Sequence, residues 1–240
     1  MIQKKNINEA FYLFLFLHLL LWTIIPSFSN TNLPLDTIEA LAWGSNLDWG
    51  FSKHPPFSAF AVEFFYTIFG DKDWVYYLLS QIFVATSFYF VWKFSCLILE
   101  DKIYSFIAVL TLSSIYFYNF TTPEFNVNVS QLPFWALTVY LFWRGLNFNK
   151  KIDWVLFGFF SVLGFLSKYL FIYILLSFFI FFVFNLKKYK KSVKNYFLSI
   201  LLSLILLIPH FIWLIENNFV TIFYGLNRSG ISEFNVLNHI

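Results

Sequence analysis

Seven stretches of this chain are too apolar and too long to be left in water, and they restrict the fold more than any motif does. Residues 10–28, 74–99, 103–120, 127–143, 154–167, 169–186 and 196–215 carry few charges or none. A helix crosses a hydrocarbon layer of roughly 30 Å with about 20 residues. It also satisfies its own backbone hydrogen bonds, as any segment in lipid must. The expected fold is therefore all-α: a polytopic membrane helix bundle of about seven transmembrane helices. Composition agrees, since 59% of the residues are hydrophobic and 12% charged, far from the balance of a soluble domain. The first run follows Lys4 and Lys5 as a signal peptide would. It is long, however, and no small-residue cleavage site follows, so it reads as a retained helix.

Lys168 alone separates the fifth run from the sixth, so these could form two helices or one long tilted helix. The distribution of basic residues discriminates, because Lys and Arg accumulate in cytoplasmic loops. With two helices and a cytoplasmic N-terminus, Lys4, Lys5, Lys102, Arg144, Lys150, Lys151 and the cluster Lys187, Lys188, Lys190, Lys191 and Lys194 all fall inside. Lys53, Lys72, Lys168 and Arg228 are left outside. A single long helix would carry the densest cluster across the membrane, so a tight outer turn at Lys168 is expected. Asp36, Glu39, Asp48, Glu63, Asp71, Asp73, Glu124, Glu216 and Glu233 then map to the outer side, with Asn32 and Asn235, and any catalytic chemistry is expected there. The outer loop of residues 29–73 is too apolar for a plain connection. Residues 33–47 and 56–69 read as amphipathic helices lying in the interface. Pro55 and Pro56 hold Lys53 and His54 extended and then begin the second of these helices.

The net charge of +3 is small, and no nucleic-acid partner is expected. Cys96 is the single cysteine, which rules out an intrachain disulfide and a cysteine metal site. No Gly-rich phosphate loop and no internal repeat is present. The sequons at Asn119, Asn128 and Asn227 say little.

Polar residues at the outer side are the candidates for chemistry. Asp36 and Glu39 are three apart, so on a helix both carboxylates leave one face, within reach of one metal ion or one acceptor group. The same spacing fits a capping box, which local sequence alone favours. Lys53 and His54 set a cation and an imidazole on stiff backbone where a lipid phosphate would lie; a helix start with a snorkelling lysine reads equally from these residues. Lys168 suits either interfacial snorkelling or phosphate binding. Glu124, Asn126, Asn128 and Gln131 form a polar approach to the fourth helix and could bind a sugar or cap the helix. His18 reads as a packing residue, and His210 beside Pro209 as the mark of a kink; neither is expected in a site.

Taken in order, Leu35-Asp36-Thr37-Ile38-Glu39-Ala40, Trp43-Gly44, Trp49-Gly50-Phe51 and Lys53-His54-Pro55-Pro56 resemble the first outer loop of the protein mannosyltransferase-like glycosyltransferases, which include bacterial aminoarabinose transferases. Pro123-Glu124-Phe125-Asn126-Val127-Asn128, Gly164-Phe165-Leu166-Ser167-Lys168-Tyr169 and Pro209-His210-Phe211-Ile212-Trp213-Leu214 resemble later segments of that family. The resemblance implies a GT-C bundle in a bacterial cytoplasmic (inner) membrane, with its active site in the periplasm. It implies a polyprenyl-phosphate sugar as donor and a lipid, glycan or protein as acceptor, and it leaves a divalent metal ion open as cofactor. Asp36 matches the loop acid, implying a general base with Glu39 beside it. Lys53, His54 and Lys168 match positions near the donor phosphate, and Glu124, Asn126 and Asn128 are candidates for substrate binding. Many relatives have a lysine directly before the prolines, whereas here His54 intervenes, which leaves open whether Lys53 or His54 touches phosphate.

Relatives carry further membrane helices and usually a soluble outer domain, so residues 1–240 are expected to be the N-terminal transmembrane domain of a longer enzyme. Two other functions fit a multispan chain. A transporter or lipid-flipping protein would keep its polar groups near the midplane, often at broken helices. A non-catalytic partner subunit would need a companion chain to supply missing helices.

Overall fold

A computed structural model of the protein describes residues 4–228. Glu233 and Asn235, expected outside, lie beyond the described residues. The helices are α1 (Lys4–Ser29), α2 (Leu35–Gly44), α3 (Phe57–Phe69), α4 (Asp73–Leu99), α5 (Lys102–Ser113), α6 (Val127–Phe148), α7 (Lys151–Ser167), α8 (Ile172–Phe184), α9 (Val193–Glu216) and α10 (Val220–Arg228). Single 3₁₀ turns occur at Tyr116–Tyr118, Tyr169–Phe171 and Lys190–Ser192. Among the described residues there is no strand.

Among the described residues, three segments are long and apolar enough to cross a membrane: Asn6–Ser29, Asp73–Leu99 and Lys190–Glu216. The other expected spans are shorter or more polar. The clearest departure is the expected span over residues 103–120, where α5 has 12 residues and rises about 18 Å. Its end has a local cause. The Asn119 side chain donates to the carbonyls of Ser113 and Ile115, while the Ser113 and Ser114 hydroxyls turn back onto Leu110 and Thr111. Such side chains compete with the next helical turn for the backbone. α6 is long but carries Ser130, Gln131, Pro133, Thr138 and Arg144. Its neighbours are protein rather than lipid, because it packs against α3, α4 and α7.

Contacts between helices fix their directions. Phe11 meets Trp92 and Phe14 meets Phe88, so α1 and α4 are antiparallel. Phe83 meets Phe134 and Phe94 meets Trp143, so α4 and α6 run together. Phe134 meets Phe160 and Phe142 meets Phe157, which reverses α7 against α6. Phe157 meets Phe178 and Trp154 meets Phe182, so α8 folds back along α7. The chain therefore does turn at Lys168. Gly164 permits that turn, since a Cβ there would lie 2.5 Å from the Phe171 ring.

Alternation of direction brings the end of α1, both loop helices, the end of α5, the start of α6 and the α7–α8 turn to one end of the bundle. The lysine clusters sit at the other. There Asn149 Nδ2 donates to the Lys191 carbonyl at 3.2 Å and Asn195 Nδ2 to Asn149 Oδ1 at 3.1 Å, joining two lysine-bearing turns. Large apolar side chains such as Phe16, Tyr173, Phe197 and Ile215 are exposed, whereas Ser80, Gln81 and Thr138 are buried. That inside-out polarity suits lipid as the surrounding solvent.

Candidate active site

α2 builds the first wall. Its N-cap position is Pro34, at φ −59° and ψ 151°, with no side-chain cap, and the Pro34 carbonyl accepts from the amides of Thr37 and Ile38. The helix thus begins at Leu35, and Asp36 lies inside the first turn instead of capping it. The capping-box reading of Asp36 and Glu39 is overturned, because the helix starts two residues earlier than an Asp36 cap would start it, with Pro34 at the N-cap position. The Asp36 amide donates to Glu124 Oε1 at 3.2 Å, and the Thr37 hydroxyl to the Phe125 carbonyl at 3.2 Å. Glu39 accepts from Lys53 Nζ at 2.5 Å.

The second wall is the start of α6. Asn126 Oδ1 caps this helix, accepting from the amides of Asn128 at 2.9 Å and Val129 at 3.1 Å. Its Nδ2 donates to Glu124 Oε2 at 3.3 Å. Asn126 is thereby committed to helix and loop geometry, while Asn128 Oδ1 accepts from Lys168 Nζ at 2.5 Å. Lys168 follows the last residue of α7 in extended conformation, φ −160° and ψ 132°, so its side chain leaves the helix axis and reaches across to α6. The sequence-selected residues Asp36, Glu39, Lys53, Glu124, Asn126, Asn128 and Lys168 are thus linked through two docked walls, and His54 follows Lys53 directly.

The third wall was not foreseen. His210 is fully buried, with Nδ1 2.5 Å from the Trp49 carbonyl and Nε2 2.9 Å from the Tyr169 hydroxyl. A carbonyl can only accept, so Nδ1 carries a proton, and in the neutral ring Nε2 is the acceptor for the Tyr169 hydroxyl. One turn on, the Trp213 indole donates to Asp48 Oδ2 at 2.7 Å. Its ring covers Gly50 so closely that a Cβ there would come within 2.3 Å. The Thr221 hydroxyl of α10 donates to the Phe51 carbonyl at 2.6 Å. Together α9 and α10 clamp the loop that carries Lys53 and His54 to the turn that carries Lys168. The His54 ring stands edge-on to Trp43 and Tyr224, at 5.9 and 6.4 Å between centroids.

Charge is divided unevenly over these walls. The hydrogen bond and charge of Glu39 hold Lys53 above the ordinary lysine pKa, so its cation is permanent but already paired. Burial pushes the His54 imidazole below the usual histidine range, opposed by Glu39 and Asp36 and reinforced by Lys168 and Arg228. Burial likewise lowers Lys168, aided by the charge of Arg228 and opposed by Asp36. Among the described residues Lys168 stands in no ion pair. This end of the bundle therefore holds a neutral imidazole and an amide-held cation with Arg228 in electrostatic reach.

Asp36 and Glu39 would give a divalent ion two carboxylates, one already held by Lys53. Among the described residues no group of three or more His, Cys, Asp or Glu is arranged to hold a metal. The donor set does not fit a resident ion.

A family model described as dolichyl-phosphate-mannose-protein mannosyltransferase matches residues 53–213 of the 240. No curated protein and no solved structure matches the chain. The matched region runs from Lys53 through Trp213, taking in Lys168 and His210 and leaving Asp36 and Glu39 ahead of it. More than half of the chain lies within that match, and it belongs to the protein mannosyltransferase-like family of GT-C glycosyltransferases.

Proposed function

We propose that this chain carries the site at which a sugar is transferred from a polyprenyl-phosphate donor to an acceptor hydroxyl on the outer, periplasmic side of the membrane. The acceptor belongs to a lipid, glycan or protein. Seven membrane segments with a cytoplasmic N-terminus carry the site, the shorter helices crossing together with their adjoining turns. The supporting observation is the convergence of Asp36, Lys53, His54, Glu124 and Lys168 at one end of the bundle. A transporter would gather such groups near the midplane.

Lys168 and Arg228 bind the donor phosphate. Asp36 takes the proton from the acceptor hydroxyl as its oxygen bonds to the anomeric carbon. The bond from that carbon to the phosphate oxygen breaks, and the lipid phosphate leaves with the electron pair. Its growing charge is offset by the two cations, held in place before the reaction begins. His54, neutral and wedged between aromatic rings, shapes the pocket and offers a hydrogen bond. Lys53 braces the loop through Glu39.

The decisive variant is Asp36→Asn. Asp36 caps nothing, so the change leaves the fold intact while removing the proton acceptor, and turnover should fall about a hundred-fold or more. Lys168→Ala should weaken binding of polyprenyl phosphate by roughly ten-fold, the scale of a lost hydrogen bond to a charged group. A normal rate in Asp36→Asn, with the protein inserted at wild-type abundance, overturns the catalytic assignment. Unchanged lipid-phosphate binding in Lys168→Ala overturns the donor site.

A further inference from the structure

Lys168 and Tyr169 are consecutive, and hydrogen bonds draw their side chains to different walls. Lys168 Nζ donates to Asn128 Oδ1 at the start of α6, whereas the Tyr169 hydroxyl donates to His210 Nε2 of α9 at 2.9 Å. The chain is extended at Lys168, with φ −160° and ψ 132°, and successive side chains of an extended chain leave on opposite sides. The turn is thus held from both sides. Through the His210 ring the Tyr169 bond continues to the Trp49 carbonyl at 2.5 Å. Thr221 is a second side-chain partner of the Tyr169 hydroxyl, and its own hydroxyl donates to the Phe51 carbonyl at 2.6 Å. Two links from residues on either side of Gly50 therefore converge on Tyr169. The His210 ring is fully buried and lies parallel to Trp213, with 7° between the planes. It cannot turn to another partner without losing the Trp49 bond.

We infer that Tyr169 and His210 are positioning residues for the donor phosphate: their hydrogen bond relays the place of the Trp49–Phe51 loop segment to the adjacent Lys168 and fixes where its ammonium stands. The inference rests on the reading of Lys168 as a donor-phosphate cation. Neither Tyr169 nor His210 touches the donor in this role. A cation already held in place binds phosphate without first having to be ordered.

Binding of undecaprenyl phosphate to the purified full chain, measured in a double-mutant cycle over Lys168 and Tyr169, separates positioning from general support of the fold. Lys168→Ala should weaken binding roughly ten-fold, and Tyr169→Phe about five-fold, the scale of one neutral hydrogen bond. In the Lys168→Ala background Tyr169→Phe should add less than about two-fold, because a hydroxyl that acts through Lys168 has nothing left to position. A hydroxyl that only supports the fold would weaken binding by the same factor in both backgrounds. Equal factors overturn the inference, as does wild-type affinity in Tyr169→Phe, and in either case the donor site at Lys168 stands on its own variant. Wild-type affinity in Lys168→Ala removes the donor site and this inference with it. If Tyr169→Phe is not recovered folded, His210→Asn decides, since it keeps an N–H for the Trp49 carbonyl and lacks the acceptor for Tyr169. It should weaken binding alone and add nothing beside Lys168→Ala; independent action of the two overturns the inference.

Discussion

Lys168 differs from an ordinary snorkelling lysine in its partner. An amide oxygen orients its ammonium without neutralising it, so its charge remains available for a phosphate. Because burial and Arg228 lower its pKa from 10.5, the proton needed for phosphate binding is lost at a lower pH than in a free lysine. In the proposed reaction kcat/KM should therefore decline on the alkaline side before pH 10.5, since that quantity reports the free enzyme. Lys168→Arg keeps the cation at any accessible pH and should shift the decline upward. An alkaline limb identical in wild type and Lys168→Arg would show that another group governs it. Lys168 was legible in the sequence because a lone cation between two apolar runs stands out. His210 was not: a histidine beside a proline inside an apolar helix looks like a kink marker, and its partners, a backbone carbonyl and a tyrosine hydroxyl, are distant in sequence. Asp36 shows the converse, because its spacing from Glu39 suggested a capping box that the preceding proline forestalled.

At the scale of elements, hydrophobic runs bounded by charges located most helices, including both loop helices at Leu35–Gly44 and Phe57–Phe69. Illegible were the places where polar side chains redirect backbone. α5 stops at Ser113 because Asn119 and two serines compete for its last carbonyls. α10 was unforeseen, since the signal that makes it useful, Thr221 bonded to Phe51, lies far along the chain. Close helix approach is likewise written in single residues. At Gly158 a Cβ would lie 2.6 Å from the Ser199 carbonyl oxygen, and the Ser203 hydroxyl donates to the Gly158 carbonyl at 3.0 Å. Both obstacles involve α9, which also carries His210 and Trp213. Gly158→Ala should destabilise the protein by about 1–3 kcal/mol, the range for overpacking, read as a lower thermal midpoint in detergent. Gly225→Ala in α10, where the added carbon meets nothing within 4 Å, is the matched control and should leave the midpoint unchanged. An equal midpoint in wild type and Gly158→Ala would mean that α7 and α9 are not in backbone contact.

For the whole molecule, the arrangement of charge and the directions of the helices are two independent routes to one topology. The first uses where lysines fall in the sequence; the second uses which aromatic rings meet. Both require the chain to reverse at Lys168, and both assign the site to the end that lacks the lysine clusters. A cytoplasmic lysine-rich end then makes the site periplasmic, a step that rests on the charge rule alone and is open to direct test. In a Cys96→Ser background, Asn32→Cys and Lys190→Cys each introduce a thiol at an exposed position near opposite ends of the bundle. A membrane-impermeant maleimide should label Asn32→Cys in intact cells and Lys190→Cys only after permeabilisation. The reverse pattern would invert the protein and give the proposed site a cytoplasmic donor. Labelling of both from outside would mean that an even number of the five segments between them crosses, so that at least one of α4 to α8 does not span.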